Sequence, residues 1–155
     1  MAIEIERKYL VKNEQWQTEA DTGKDYLQGY LVGGKDASVR VRIEGEYAFI
    51  NIKSATLGIR RLEYEYPIPL DDARLLLEDL CEKPLIKKKR YHIKHGGLTW
   101  EIDVFEGDNA GLVVAEVELP NEDMQPELPD WAGEEVSDDP RYYNVSLVKH
   151  PYNKW

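Results

Sequence analysis

Ile3-Glu4-Ile5-Glu6-Arg7-Lys8-Tyr9-Leu10-Val11 opens the chain with alternating apolar and charged residues. A strand has period two, so Glu4, Glu6 and Lys8 share one face, while Ile3, Ile5, Tyr9 and Val11 share the other. Same-face neighbours on a strand lie about 6.6–6.8 Å apart. Two carboxylates at that spacing can share divalent cations, and the ammonium beside them can grip an anion. Taken alone, the stretch also fits an ordinary antiparallel strand with a polar, solvated outer face. The later strands have to decide.

They repeat the alternation. Asp25–Val32 reads as a second strand ending at Gly33-Gly34. In Ala37–Glu44, the residues Ser38, Arg40, Arg42 and Glu44 oppose Val39, Val41 and Ile43, and Gly45 marks a hairpin. The return strand Glu46–Lys53 places Tyr47, Phe49, Asn51 and Lys53 opposite Ala48, Ile50 and Ile52. In Ile59–Ile68, Arg61, Glu63 and Glu65 fall together against Leu62, Tyr64 and Tyr66. Leu85–His95 carries a basic run. Taking Tyr91 and Ile93 as core-facing puts Lys88, Arg90 and His92 on the charged face. Leu98–Phe105 sets Glu101 and Asp103 against Trp100, Ile102 and Val104; Leu112–Leu119 sets Glu116 and Glu118 against Ala115 and Val117.

Between the strands, Asn13 is an N-cap for a short helix holding Trp16 and Ala20. Asp71 or Asp72 caps a helix whose Ala73, Leu76, Leu77 and Leu80 follow helical spacing. Pro120 to Asp130 reads as an acidic loop. Asp139 followed by Pro140 starts a helix over Arg141–His150, stopped by Pro151.

At 155 residues the chain is the size of one domain, residues 1–155, with a C-terminal helix at about 140–150. The formal charge of −10 argues against a general nucleic-acid binder, and no apolar run reaches membrane length. No secretory leader is visible, so a cytoplasmic location is expected. The single cysteine, Cys81, reads as a small buried apolar group, and His92, His95 and His150 lack zinc spacing.

About eight short strands in hairpin order suggest an antiparallel sheet that closes or nearly closes. Acids dominate the polar faces of the first, fifth, seventh and eighth strands, and bases those of the third, fourth and sixth. Two architectures fit: an open sheet showing its charges to water, or a barrel with the charges inside and the helices outside. Small barrels normally fill with apolar side chains. A charged interior could persist only as a wet channel whose ligand supplies both signs, since unpaired buried charge is very costly. A polyphosphate chelated to Mg²⁺ or Mn²⁺ has that chemistry.

Glu4-Ile5-Glu6-Arg7-Lys8 resembles the ExExK opening of the CYTH superfamily, the triphosphate tunnel metalloenzymes. Arg40-Val41-Arg42, Lys53, the Arg61 to Glu65 segment, Lys88 with Arg90, Asp103, and Ala115-Glu116-Val117-Glu118 are similar to that family's successive strand motifs, in order. The resemblance implies an α+β fold: an eight-stranded antiparallel closed β-barrel with helices packed outside. It further implies a metal-dependent hydrolase of triphosphate phosphoanhydride bonds, with inorganic tripolyphosphate as the foremost substrate. Alternatives are a thiamine triphosphatase, a nucleoside triphosphatase, a class IV-type adenylate cyclase or a non-enzymatic polyphosphate sensor.

By the same resemblance, Lys8, Arg40, Arg42, Lys53, Lys88 and Arg90 would hold phosphates. Glu4, Glu6, Asp103, Glu116 and Glu118 would bind two Mg²⁺ or Mn²⁺ ions, and Glu63, Glu65 and Glu101 would steady the basic groups. Glu4, Glu6, Lys8 and Lys53 would carry catalysis. The partner would be a small triphosphate, with no nucleic acid and no membrane, and the chain could pair as a homodimer. Glu134 to Asp138 and Tyr142-Tyr143-Asn144 resemble the family's C-terminal helix, which can plug one tunnel mouth.

Overall fold

The computed structural model describes residues 2–155. In chain order the strands are β1 (Ile3–Val11), β2 (Lys24–Gly33), β3 (Ala37–Glu44), β4 (Tyr47–Ser54) and β5 (Arg60–Ile68), then β6 (Ile86–His95), β7 (Leu98–Phe105), β8 (Val113–Glu118) and β9 (Ala132–Glu135). Helix α1 spans Leu70–Asp79, and α2 spans Asn144–Lys149.

The sheet runs β5-β4-β3-β2-β6-β7-β8-β1-β9, and β1 also pairs with β5, which closes the first eight strands into a barrel. Every pairing is antiparallel. Closure falls on the opening strand. One edge of β1 meets β8 through Glu6↔Glu118 and Lys8↔Glu116. Its other edge meets β5 through Glu4↔Arg61, then switches to β9 at Tyr9↔Glu135.

Directly paired residues point to the same side of a sheet. The register therefore carries the parity of β1 around the ring: Lys8 with Glu116, Glu116 with Glu101, Arg90 with Asp103, and Lys53 with Glu63. All of these but Asp103, which is buried behind Arg90, line the lumen. The open sheet is excluded, and the charged face is the inner one.

The outer face is covered in two places. Helix α1 packs Ala73 and Leu77 onto Val41, Ala48, Leu27 and Ile43. Gly29 of β2 permits this close approach, because a Cβ there would lie 2.7 Å from a Leu85 methyl and 2.9 Å from Cys81. Cys81 is buried there, as expected. Elsewhere Trp131 is edge-on to Trp100, which also tilts against Tyr9. The outward parity of Trp100 thus serves a core rather than a ligand.

One end of the lumen is closed by the C-terminal segment. Tyr30, Ile86, Phe105 and Val114 face inward there and pack against Tyr142, Leu147 and Val148. No helix among the described residues is long and apolar enough to cross a membrane.

Four local expectations are corrected. The stretch Ala132–Glu135 is a strand, which its composition hides; it forms because β1 leaves an edge unpaired beyond β5. Asp71 and Asp72 lie in the first turn of α1, with Pro69 at the capping position and no side-chain cap. The helix expected over Arg141–His150 is split at Tyr143, into a 3₁₀ turn at Pro140–Tyr142 and then α2. Asp139 does cap the first piece, accepting from the Arg141 amide. The expected helix after Asn13 is also corrected: it is a 3₁₀ turn at Gln15–Thr18 that buries Trp16 and stops short of Ala20, with Glu14 at the capping position, while Asn13 accepts from the Gln15 amide.

Candidate active site

The lumen encloses a cavity of about 220 Å³ whose exposed lining is almost wholly polar. Period two on each strand aims its side chains, and the closed register brings strands distant in sequence to a common space. The carboxylates and the cations are not mixed at random within it.

On the β1–β8–β7 side, Glu6, Glu101 and Glu116 each present an oxygen within 4.8 Å of the others. Their proton affinities diverge. Burial pushes Glu6 well up, and Glu116 and Glu4 push the same way. Burial also opposes ionisation of Glu116, but Lys8, Arg90 and Lys88 outweigh it and hold that carboxyl well below its usual range. Glu101 is lowered because Arg90 and the His92 hydrogen bond overcome its burial. Glu4 is pushed up to about 7, first by burial and then by Glu63, against the pull of Lys53. Glu118, opposite Glu6 in the register, is raised by burial and by Glu101 and Glu63.

Asp103 is elsewhere. It is 1% exposed, and both its oxygens are taken: Oδ1 lies 2.7 Å from Arg90 Nε, and Oδ2 lies 2.8 Å from Lys88 Nζ and 2.9 Å from Arg90 Nη2. Asp103, grouped in the sequence with the metal-binding acids, stands outside the carboxylate cluster, which Glu101 forms with Glu6 and Glu116. A carboxylate whose lone pairs are already engaged by two cations has little left for a metal. Glu101 also receives Arg90 Nη1 at 2.8 Å, so it is ion-paired as well.

The cations span the cavity. Lys53 Nζ is 2.9 Å from Glu63 and 3.4 Å from Glu4. Burial and Arg40 work against its charge, but Glu4, Glu6 and Glu63 more than compensate and raise it. Arg42 reaches Glu65 at 2.5 Å and Glu44 at 3.3 Å. Lys88 is brought down to about 8 by burial, which Asp103 only partly offsets. Arg40 is buried, with Nε 3.4 Å from Asn51 Oδ1.

Every expected site residue thus lines or adjoins one space, and several neighbours were missed. Arg61 projects inward over the Tyr143 ring at 4.6 Å. Its inward parity was legible beside Glu63 and Glu65. Tyr26, Gln28 and Tyr30 line the wall from β2, and their period-two spacing was the available signal. Asn144 reaches in from the C-terminal segment, and nothing local marks it.

That segment holds on to the tunnel's donors. Lys8 Nζ donates to the Tyr142 carbonyl at 3.1 Å and lies 3.4 Å from Glu116. Asn144 Oδ1 accepts from Lys88 Nζ at 3.0 Å and from Gln28 Nε2 at 2.8 Å. His92 sits between Asp21 and Glu101, and its hydrogen bond to Glu101 raises it.

The CYTH domain family model matches residues 2–152. An inorganic triphosphatase of Acetivibrio thermocellus is 48% identical over 155 residues, covering 100% of this chain and 99% of that protein. An inorganic triphosphatase of Nitrosomonas europaea is 36% identical over 149 residues, covering 94% and 96% of the two chains. The crystal structure of an inorganic triphosphatase superposes with a TM-score of 0.66 at 34% identity, covering 93% of this chain and 96% of that one. A Pyrococcus horikoshii protein of 19% identity, TM-score 0.60, covers 77% of this chain and 80% of its own and speaks for the fold alone.

Proposed function

The chain belongs to the CYTH domain family, and on that premise we propose that it hydrolyses inorganic tripolyphosphate to pyrophosphate and phosphate with the help of a divalent metal. The observation that carries this reading is the barrel cavity in which a carboxylate cluster faces a cage of Lys and Arg side chains. The two full-length relatives named inorganic triphosphatase support the choice of substrate.

Three carboxylate oxygens within 4.8 Å of one another suit a hard cation such as Mg²⁺ or Mn²⁺, which takes oxygen ligands and keeps several waters. Glu6, Glu101 and Glu116 would hold it, and Glu4 and Glu118 line the same cavity. When bound, the metal supplies charge neutralisation and lowers the pKa of a coordinated water.

The chain's own residues do the remaining work. Arg40, Arg42, Lys53, Arg61, Lys88 and Arg90 hold the phosphate oxygens and stabilise the charge that spreads as the terminal P–O bridge breaks. Water oxygen bonds to the terminal phosphorus, and the electron pair of the broken bridge leaves on pyrophosphate. Glu4 lines the same cavity and would accept the water's proton. Asp103 keeps Lys88 and Arg90 aimed inward. Lys8 must exchange the Tyr142 carbonyl for a substrate oxygen.

The test is a phosphate-release panel with Mg²⁺ and Mn²⁺ on tripolyphosphate, ATP, thiamine triphosphate and pyrophosphate, with cyclic AMP assayed in parallel. The proposal expects tripolyphosphate to give the highest kcat/KM and activity to vanish in EDTA. Release unaffected by EDTA, or a preference for an organic triphosphate, would refute it.

A further inference from the structure

Tyr26 is only 6% exposed, yet it lies in a charged wall. On β2 it is paired directly with Glu44 of β3 on one side and Lys88 of β6 on the other. Arg42 and Arg90, two residues along those strands, are its diagonal neighbours. Its ring centroid lies 5.0 Å from Arg90 Cζ, 5.6 Å from Arg42 Cζ and 6.0 Å from Lys88 Nζ.

The pattern continues around the wall. Phe49, paired with Arg42, has its centroid 5.3 Å from the Arg42 guanidinium carbon. Phe105, paired with Lys88, is 5.5 Å from Lys88 Nζ. Aromatic and cationic side chains thus alternate across five adjacent strands, from β4 to β7 in sheet order, with Tyr26 at the centre.

Like charges on neighbouring strands repel, and a buried guanidinium needs something to set its plane. An aromatic face carries negative quadrupole density and attracts a cation laid over it. This contact has a property that the ion pairs lack. Glu65, Glu101 and Asp103 occupy the N–H donors of Arg42 and Arg90, the same donors a phosphate oxygen would take. A ring contact engages the π face and leaves the N–H fork free. A triphosphate can therefore displace a carboxylate without losing the ring.

We infer that Tyr26 is a positioning residue whose ring, rather than its hydroxyl, spaces Arg42, Lys88 and Arg90 for the phosphates. The inference rests on the proposed triphosphate site and names a residue that reading does not require. The hydroxyl has a separate neighbourhood: burial, with the Glu44 carboxylate beside it, pushes it up to about 12, so it stays protonated.

The experiment compares steady-state tripolyphosphate hydrolysis by wild type, Tyr26→Phe and Tyr26→Leu with saturating Mg²⁺, with each variant's Tm recorded. Tyr26→Phe keeps the ring and is expected to hold KM within about two-fold. Tyr26→Leu keeps apolar bulk without the quadrupole and is expected to raise KM about ten-fold, with kcat changed far less. Tyr26→Leu with an unchanged KM would overturn the inference. So would Tyr26→Phe losing as much as Tyr26→Leu, since the hydroxyl would then be the operative group. Should Tyr26→Leu fail to fold, Tyr26→Met is judged by the same KM criterion. Should wild type hydrolyse no triphosphate, the functional reading fails by itself. Calorimetric titration of tripolyphosphate into the same proteins then decides the role of the ring, with Kd in place of KM.

Discussion

On the β1–β8–β7 wall, Glu6, Glu101 and Glu116 crowd together with their proton affinities driven apart. On the β4–β3–β2–β6 wall, the Tyr26 ring stands between Arg42 and the pair Lys88 and Arg90, and all three cations are matched to carboxylates. Both walls bury like charges on adjacent strands, yet only the basic one is internally resolved. The acidic wall retains its conflict: Glu6 is held up while Glu116, its neighbour, is held down. An unresolved carboxylate cluster suits the divalent cation proposed for it. A resolved basic wall is a site that can trade one set of oxygens, its own carboxylates, for another.

Removing a member of the acidic cluster should have the largest consequence. Outer-sphere changes at metal sites already cost about 10–100-fold, so Glu116→Gln should lower kcat/KM by roughly 100-fold or more and weaken Mg²⁺ binding by calorimetry. Near-wild-type turnover would erase the distinction between the walls.

The next test strikes the hinge between them. Asp103 sits on β7 among the acids but serves the bases, and both it and Lys88 are 1% exposed. Removing one member of a buried ion pair strands the other's charge, so Asp103→Asn should cost about 3–5 kcal/mol in chemical denaturation. A loss below about 1 kcal/mol would mean that water already solvates the basic wall.

The two walls should also respond to pH in different windows. Glu4 and Glu6 have raised folded pKa values, so their charged forms are disfavoured in the folded protein. That cost is present above the folded pKa, about 7 for Glu4, and fades as pH falls toward the unfolded value of 4.5. His92, also raised, acts in the same sense, while Lys88, lowered to about 8, opposes it only near the top of the range. Lowered Asp103 and Glu116 lose their contribution only below the ordinary carboxylate range. In EDTA, Tm should therefore rise by roughly 3 °C between pH 8 and pH 6. Added Mg²⁺ should reverse the trend, because binding to carboxylates competes with protons. An EDTA profile that falls over this range would show that the acidic wall carries no such conflict.

The smallest effect concerns the basic wall's own spacing. Phe49→Leu removes one of the two rings flanking Arg42, and KM should rise only about two- to three-fold. A larger rise would move the centre of that array from Tyr26 to Phe49.

Much of this was readable from strand parity. Lys53, Arg90 and Glu116 face inward because period two admits only two choices per strand, and the apolar face must go to the covered side. The assignment failed where a residue's partner comes from another strand. Glu101 and Asp103 share parity on β7 and look equivalent in the sequence. One joins the carboxylate cluster and the other binds Lys88 and Arg90, because the stagger between β6, β7 and β8 sets them at different heights. Strand β9 was hidden for a related reason: Ala132-Gly133-Glu134-Glu135 has no alternation of its own and pairs only because β1 offers an edge.

The amino-acid order alone determined which side chains look inward and that both signs of charge would be confined together, since alternation along a strand is a local property of the backbone. The three-dimensional closure decided which acids gather within 4.8 Å of one another, which bases are already matched, and that Tyr142 and Asn144 reach Lys8 and Lys88. Those pairings depend on the register of strands brought together across the ring, and no spacing within one segment encodes it.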